Sequence, residues 1–253
     1  MISVKKPTDT PHVSQLWKAL QAEAVELLQE EPMLFNYVEP VIVKSNTVRE
    51  ALIKLLVPRL CCHYMREQDL ASIFHELYEK YPALGPAARM DLLSIRKYDP
   101  AAKNLVLPFL FFKGFHALQT HRVAHILWQE GRHYMALYLQ NRASDIFGVD
   151  IHPAARFGNG VTLDHATGIV IGETSVIGDD VLILHGVTLG AKAYSTGDRH
   201  PKVGNSVKIG AGVSVLGNIH IGNNAVLASG SVVLDDVLAG TTVAGVPAKT
   251  IKK

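Results

Sequence analysis

Residues 203–239 read VGNSVK-IGAGVS-VLGNIH-IGNNAV-LASGSV-VLDDVL-A, a six-residue rhythm with Val203, Ile209, Val215, Ile221, Leu227, Val233 and Ala239 at one position of the repeat. Upstream the same beat runs Ile151, Phe157, Leu163 and, after a break, Ile171, Ile177, Ile183, Leu189. A hexapeptide period with an aliphatic residue at a fixed place is the signature of a parallel β-helix. Each hexapeptide makes a short strand and a corner, three close a triangular coil, and coils stack about 4.8 Å apart. Each inward Ile, Val or Leu contributes about 1.5–3 kcal/mol by burial, and no coil is stable without its neighbours. Seven consecutive in-phase positions disfavour a β-sandwich of short strands.

The rhythm breaks twice. Leu163 to Ile171 is two residues too long, and Leu189 to Val203 is eight too long. The first break holds Asp164-His165, the second Asp198-Arg199-His200. Two extra residues push a corner outward, so His165 is expected to be exposed and able to exchange a proton near neutrality. Asp150, three hexapeptides earlier, falls about one coil away on the same side; a carboxylate bonded to one imidazole nitrogen strengthens the other as a base. The bland alternative is a solvated histidine and a loop-capping aspartate. The second break leaves the coil as a polar arm, 190–202, on which Arg199 offers a planar fork for a carboxylate, unless it is merely a solvated loop. An arm projecting from a prism can reach a neighbouring prism. His185, at the corner one coil after His165, either shapes the site or is a packed corner residue, and the packed reading is preferred. His121 and His125 are four apart on a predicted helix, a spacing that can hold a metal. No third ligand accompanies them, so packing is expected.

The preceding residues follow a different period. Val13, Trp17, Leu20, Ala24 and Leu27 recur at helical spacing, and Thr47–Leu60, Gln68–Tyr81, Leu84–Ile95, Phe115–Gln129 and Arg132–Phe147 read alike. The fold class expected is therefore α+β: an all-helical domain over 1–148, then a β-helix over 149–253. A formal charge of +2 gives no reason to expect nucleic acid or an acidic membrane surface. The run from Leu105 to Phe112 is too short to span a bilayer. The first residues carry no signal-peptide core. Cys61 and Cys62, the only cysteines, are adjacent, which suits a reducing cytoplasm.

Several segments carry a resemblance more specific than the repeat. Val149-Asp150-Ile151-His152-Pro153, the run Leu163 to Val170, Gly197-Asp198-Arg199-His200-Pro201-Lys202, Asp99-Pro100-Ala101 and the run Phe112 to Gln119 resemble the serine O-acetyltransferases over nearly the whole chain. The resemblance implies a left-handed β-helix, trimers of prisms, and hexamers joined through the helical domains. It implies acetyl transfer from acetyl-CoA to the hydroxyl of L-serine on the way to cysteine, with no metal. It puts the catalytic base at His165 with Asp150 as partner, and serine at Asp99 and Asp164 (ammonium) and Arg199 (carboxylate), with His200 nearby. It puts CoA beside Gly190, Ala191, Ala211 and Ser229, with Lys249 as a phosphate contact. L-Cysteine, an isostere of serine, is the expected feedback inhibitor. Two departures stand out. The arm opens Gly190-Ala191 where the family often has Gly-Gly. The sequence stops at Ile251-Lys252-Lys253, so the family's isoleucine-ended tail that binds O-acetylserine sulfhydrylase is expected to be absent.

Rival readings are a hexapeptide acyltransferase for homoserine, a sugar or an antibiotic, a metal-dependent β-helix lyase, and a non-catalytic scaffold. The Asp-Arg-His arm and Asp99 favour an amino-acid acceptor.

Overall fold

The computed structural model describes residues 15–192 and 196–252. The helices are α1 (Leu16–Glu30), α2 (Phe35–Val38), α3 (Val48–Leu60), α4 (Glu67–Lys80), α5 (Leu84–Tyr98), α6 (Val106–Phe111), α7 (Lys113–Gln129) and α8 (His133–Phe147). The strands are β1 (Val149–Ile151), β2 (Arg156–Phe157), β3 (Thr162–Asp164), β4 (Ile169–Ile171), β5 (Val176–Ile177), β6 (Leu182–Leu184), β7 (Thr188–Gly190), β8 (Lys202–Val203), β9 (Lys208–Ile209), β10 (Ser214–Leu216), β11 (His220–Ile221), β12 (Val226–Leu227), β13 (Val232–Val233), β14 (Thr242–Gly245) and β15 (Ala248–Lys252).

Successive strands visit three sheets in turn. The first is β1-β4-β7-β10-β13, the second β2-β5-β8-β11, and the third β3-β6-β9-β12-β14-β15. Pairing is parallel except for the closing β14–β15 hairpin. Ile209 lies beside Leu227, three repeats later, so three hexapeptides make one coil. Of the predicted inward positions, all but two are buried; Phe157 is half-buried and Ala239 is exposed. The exposure of Ala239 marks a third irregularity. Ile221 bridges to Val237, and Leu227 pairs with Val243, each two residues short of three repeats. The corner at Asp235-Asp236 is thus shortened, and Val237 takes the place that the rhythm assigned to Ala239.

Helix signals are local. Thr47 caps α3 by accepting the Glu50 N–H, while the Glu50 carboxylate takes the Asn46 N–H. Gly148 ends α8 with a left-handed backbone, φ 67°, and its N–H bonds Ser144 O. That turn delivers the chain directly into β1. The short α2 and α6 escaped the periodicity because neither is long enough to display a stripe. Among the described residues, no helix is long and apolar enough to cross a membrane.

A buried polar knot ties the helices to the first coil. Asp91 on α5 is fully buried and accepts from Gln119 Nε2 (2.9 Å), Arg122 Nε and Nη2 (2.8 and 2.9 Å) and the backbone N–H of Val161 (3.0 Å). Arg122 Nη2 also reaches Gly158 O at 2.7 Å. Nearby, Gly114 lies so close to β3 that a Cβ on it would sit 2.0 Å from Leu163 O. A third tie is electrostatic: Lys97 on α5 pairs with Asp180 at 2.6 Å.

His116 on α7 is fully buried. Nε2 donates to Phe109 O and Nδ1 accepts from Arg59. Burial pushes it down from 6.5 to about 4. The folded state therefore resists protonation that the unfolded chain accepts. Stability from this group is full above pH 6.5 and is lost as pH falls towards 4, by up to roughly 3 kcal/mol. Thermal unfolding across pH 7 to 4 should show this decline, with a shallower slope in His116→Leu; parallel slopes would refute it.

Candidate active site

The two sequence breaks lie on different edges of the prism. His165 occupies the edge between the third and first sheets. The two extra residues are absorbed by consecutive left-handed backbones at His165 (φ 55°) and Ala166 (φ 60°), a conformation that costs non-glycine residues energy and concentrates at functional sites. Ala166 is fully buried, whereas the His165 side chain is 75% exposed. Lys113, at the start of α7, bonds the Thr167 hydroxyl and braces the bulge from the helical side. Asp164 Oδ1 is 3.9 Å from His165 Nε2.

Later coils stack their corners on this one. Gly186 N–H bonds Thr167 O, Gly212 N–H bonds His185 O, and Gly230 N–H bonds Ala211 O. His165, His185, Ala211 and Ser229 therefore form a column up a single edge. His185 is exposed rather than packed, with its ring edge-on to His165 at 5.9 Å between centroids. Gly190 ends β7 on the adjoining face, and its carbonyl accepts Gly217 N–H. Ala191 is not among the described non-glycine residues with positive φ, so the alanine meets no left-handed backbone there. Lys249 lies on β15, opposite Ala244.

Asp150 pairs in register with Val170 on the strand that leaves the bulged corner, one coil below. Its Oδ1 accepts from Gln140 Nε2 of α8 at 2.6 Å. Asp99 closes the C-terminus of α5 and accepts Ala101 N–H at 2.7 Å.

The arm returns to the edge between the first and second sheets; Ala193, Tyr194 and Ser195 lie outside the described residues. Thr174 anchors its base. The Thr174 Oγ1 atom accepts the N–H groups of Arg199 and His200, both at 3.0 Å, and bonds His200 Nδ1 at 2.9 Å. Thr174 N–H also donates to that nitrogen, leaving the neutral ring's proton on Nε2. The ring is buried against Gly172, where a Cβ would lie 2.0 Å from it. Desolvation and then the nearby Arg199 charge hold His200 below its ordinary value, so it is neutral at pH 7. Lys202 completes the knot through Asp198 (2.6 Å), His200 O and Thr174 O.

Arg199 Nη2 bonds Glu173 at 2.6 Å, and Nη1 bonds Gly197 O. The guanidinium holds the Glu173 carboxyl below its usual range. Sequence reasoning found Arg199 but missed Glu173 and Thr174, whose only signal is adjacency to the corner glycine Gly172. His121 is buried against Phe157, and His125 bonds Pro153 O and Gln129. Among the described residues, no cluster of three His, Cys, Asp or Glu could hold a metal.

Comparison with known proteins matches this architecture throughout. Residues 16–120 match the model "Serine acetyltransferase, N-terminal", and residues 200–235 match "Bacterial transferase hexapeptide (six repeats)". A probable serine acetyltransferase 4 of Oryza sativa is 51% identical over 93% of this chain and 75% of its own length. The Neisseria gonorrhoeae serine acetyltransferase in complex with serine superposes with a TM-score of 0.92 at 44% identity, covering 97% of this chain and 100% of that one. The Brucella abortus serine acetyltransferase in complex with coenzyme A gives 0.92 at 45% identity, covering 94% and 95%. A serine acetyltransferase complex with cysteine gives 0.93 at 46% identity, covering 94% and 99%. The matches span the helical half and the solenoid, and the chain is a member of the serine acetyltransferase family, an acyltransferase.

Proposed function

We propose that this chain transfers acetyl from acetyl-CoA to the hydroxyl of L-serine, with His165 as general base and no covalent acyl-enzyme. The observation that carries this reading is an exposed imidazole on a strained, braced corner at the foot of a column of stacked corners. His165 takes the hydroxyl proton as the serine oxygen attacks the thioester carbonyl. Asp150 stabilises the imidazolium. Collapse of the tetrahedral intermediate expels the CoA thiolate, which takes the proton, giving O-acetyl-L-serine and CoA. Asp99 and Asp164 receive the substrate ammonium, and Arg199 its carboxylate with His200 holding the arm. CoA lies along Gly190, Ala191, Ala211 and Ser229, with Lys249 towards its phosphates. Serine and coenzyme A bound to the two relatives support these ligand classes, and the cysteine-bound relative supports cysteine as a competing inhibitor.

The separation of the edges supports a trimer. Four residues of strand, roughly 13 Å, part the His165 corner from the Glu173–Arg199 corner within a chain. A site using both edges is built most simply where one prism meets the next, and the helical domain, residues 1–148, would join two such trimers. The enzyme is assigned to the cytoplasm on its reduced adjacent cysteines.

A thiol-release assay with acetyl-CoA and L-serine, D-serine, homoserine and threonine tests the reading. L-Serine should be preferred; no CoA release with L-serine would overturn it. Thr174→Val, which removes the hydroxyl anchoring Arg199 and His200, should raise KM for serine about tenfold and leave KM for acetyl-CoA near wild type. Equal changes in both would show that Thr174 does not act through the arm.

A further inference from the structure

We infer that Gln140 is a positioning residue for the reaction, through which helix α8 orients and loads the Asp150 carboxylate. The inference rests on the reading of Asp150 as the partner of His165. Gln140 sits two turns before the end of α8, and Asp150 is the second residue of β1. Between them, Gly148 reverses the chain with its left-handed backbone. The turn brings Gln140 Nε2 to 2.6 Å from Asp150 Oδ1. Only the amide nitrogen can face the carboxylate, because the amide oxygen would oppose a second acceptor.

A charge-assisted bond of this kind does two things. It fixes the carboxylate rotamer, leaving Oδ2 for the imidazole N–H. It also takes up part of the carboxylate's charge, so that the aspartate pulls less strongly on the imidazole proton. Glutamine is suited to both because it donates without titrating. The junction is held from several sides. Gly168 N–H bonds Gly148 O, so the reversal is tied to the bulged corner that carries His165. The position of the carboxylate is thus set by the helical half, through a side chain that the hexapeptide rhythm does not include.

The other charged groups around Asp150 are few. On its own strand side, His152 is held below its ordinary value first by burial, and it feels Asp150 together with the Glu173–Arg199 pair. On α7, the Lys113 ammonium stands beside the Gly148 turn, 3.9 Å from where a Cβ on that glycine would lie, and His121 is buried and held well below its ordinary value. On α8, Arg142 is turned away to Leu60 O, Cys61 O and Asp145. Val170, the neighbour on β4, is uncharged.

The test is the pH profile of kcat/KM for serine in the full-length enzyme, for Gln140→Met and Gln140→Glu. Methionine keeps the length and removes the donor; glutamate adds a negative charge beside the carboxylate. Either change makes proton uptake by the aspartate–imidazole pair easier, so the acid limb moves to higher pH. The expected shift is about one pH unit for methionine and more for glutamate, with activity at pH 7 down about threefold for methionine, more for glutamate, and recovering at alkaline pH. Loss that is equal at every pH, or no loss, overturns the inference. In an Asp150→Asn background Gln140→Met should have no further effect on kcat; an undiminished effect there also overturns it. Full activity of Asp150→Asn alone would instead refute the role of Asp150, which separates the two failures. Should Gln140→Met fail to assemble, Gln140→Glu, which can still bond a protonated Asp150, carries the same decision.

Discussion

Alanine at His165 is expected to lower kcat about 10³-fold while leaving acetyl-CoA binding within a factor of a few. The size follows from the role: a positioned general base is worth about 10²–10⁴ in rate, and orientation of the two substrates survives its loss. The separation of effects follows from geometry. The His165 side chain is largely exposed and makes no packing contribution comparable to Ala166, which is buried beneath it. Removing the imidazole therefore deletes chemistry without emptying the core. The measurement is steady-state kinetics beside equilibrium binding of CoA and the thermal unfolding midpoint. A kcat within tenfold of wild type would remove His165 from the mechanism. A collapse of the unfolding midpoint would make the bulge a structural element instead. A non-catalytic scaffold predicts no turnover in either protein, which the wild-type control decides.

The second large effect is on stability. Asp91→Ala should destabilise the fold by about 3–5 kcal/mol, the usual result of stripping one partner from a buried ion pair. The carboxylate is fully buried and takes four donors. Its removal leaves Arg122, whose side chain is 10% exposed, charged and half-satisfied, with only Gly158 O as acceptor. It also strands the Val161 N–H and the Gln119 amide. Because those donors come from α7 and from the first coil, the loss should appear as separation of the two halves. Limited proteolysis near residues 148–161 should accelerate alongside the fall in denaturation midpoint. A change under about 1 kcal/mol would mean that water enters and hydrates Arg122.

What could be read in advance follows the physics of each element. The solenoid was legible because a stacked coil demands an aliphatic residue at every sixth place. Its two insertions were legible because they break that demand, and one of them carries the exposed imidazole. The shortened corner at Asp235-Asp236 was not, because Ala239 is small enough to fit the rhythm while lying outside the core. Four of the six predicted helices were placed within two residues at each boundary; α5 runs past the predicted Ile95 to Tyr98, and the start expected for the first helix, at Val13, lies outside the described residues. The polar pairs were invisible. Asp91–Arg122, Gln140–Asp150 and Glu173–Arg199 each join residues at least ten positions apart. Periodicity tells which face of an element is buried, but not which polar group on that face meets which. His185 was misread for a related reason: a corner position does not say whether its side chain turns in or out.

The third edge of the prism carries a ladder with a direction. Asp179 accepts the Asn159 N–H at 2.7 Å, Asn205 accepts the Asp179 N–H at 2.9 Å, and Asn223 accepts the Asn205 N–H at 2.8 Å. Each coil is thus capped by a side chain from the coil that follows it. The lowest rung is riveted to α5 through Lys97 and Asp180, and nothing comparable secures the uppermost among the described residues. Amide exchange should consequently invade from the C-terminal end, reaching Asn205 before Asp179 and Asp179 before Asn159. The solenoid unravels from the top like a knitted edge, and the coil bearing His165 is the last to loosen.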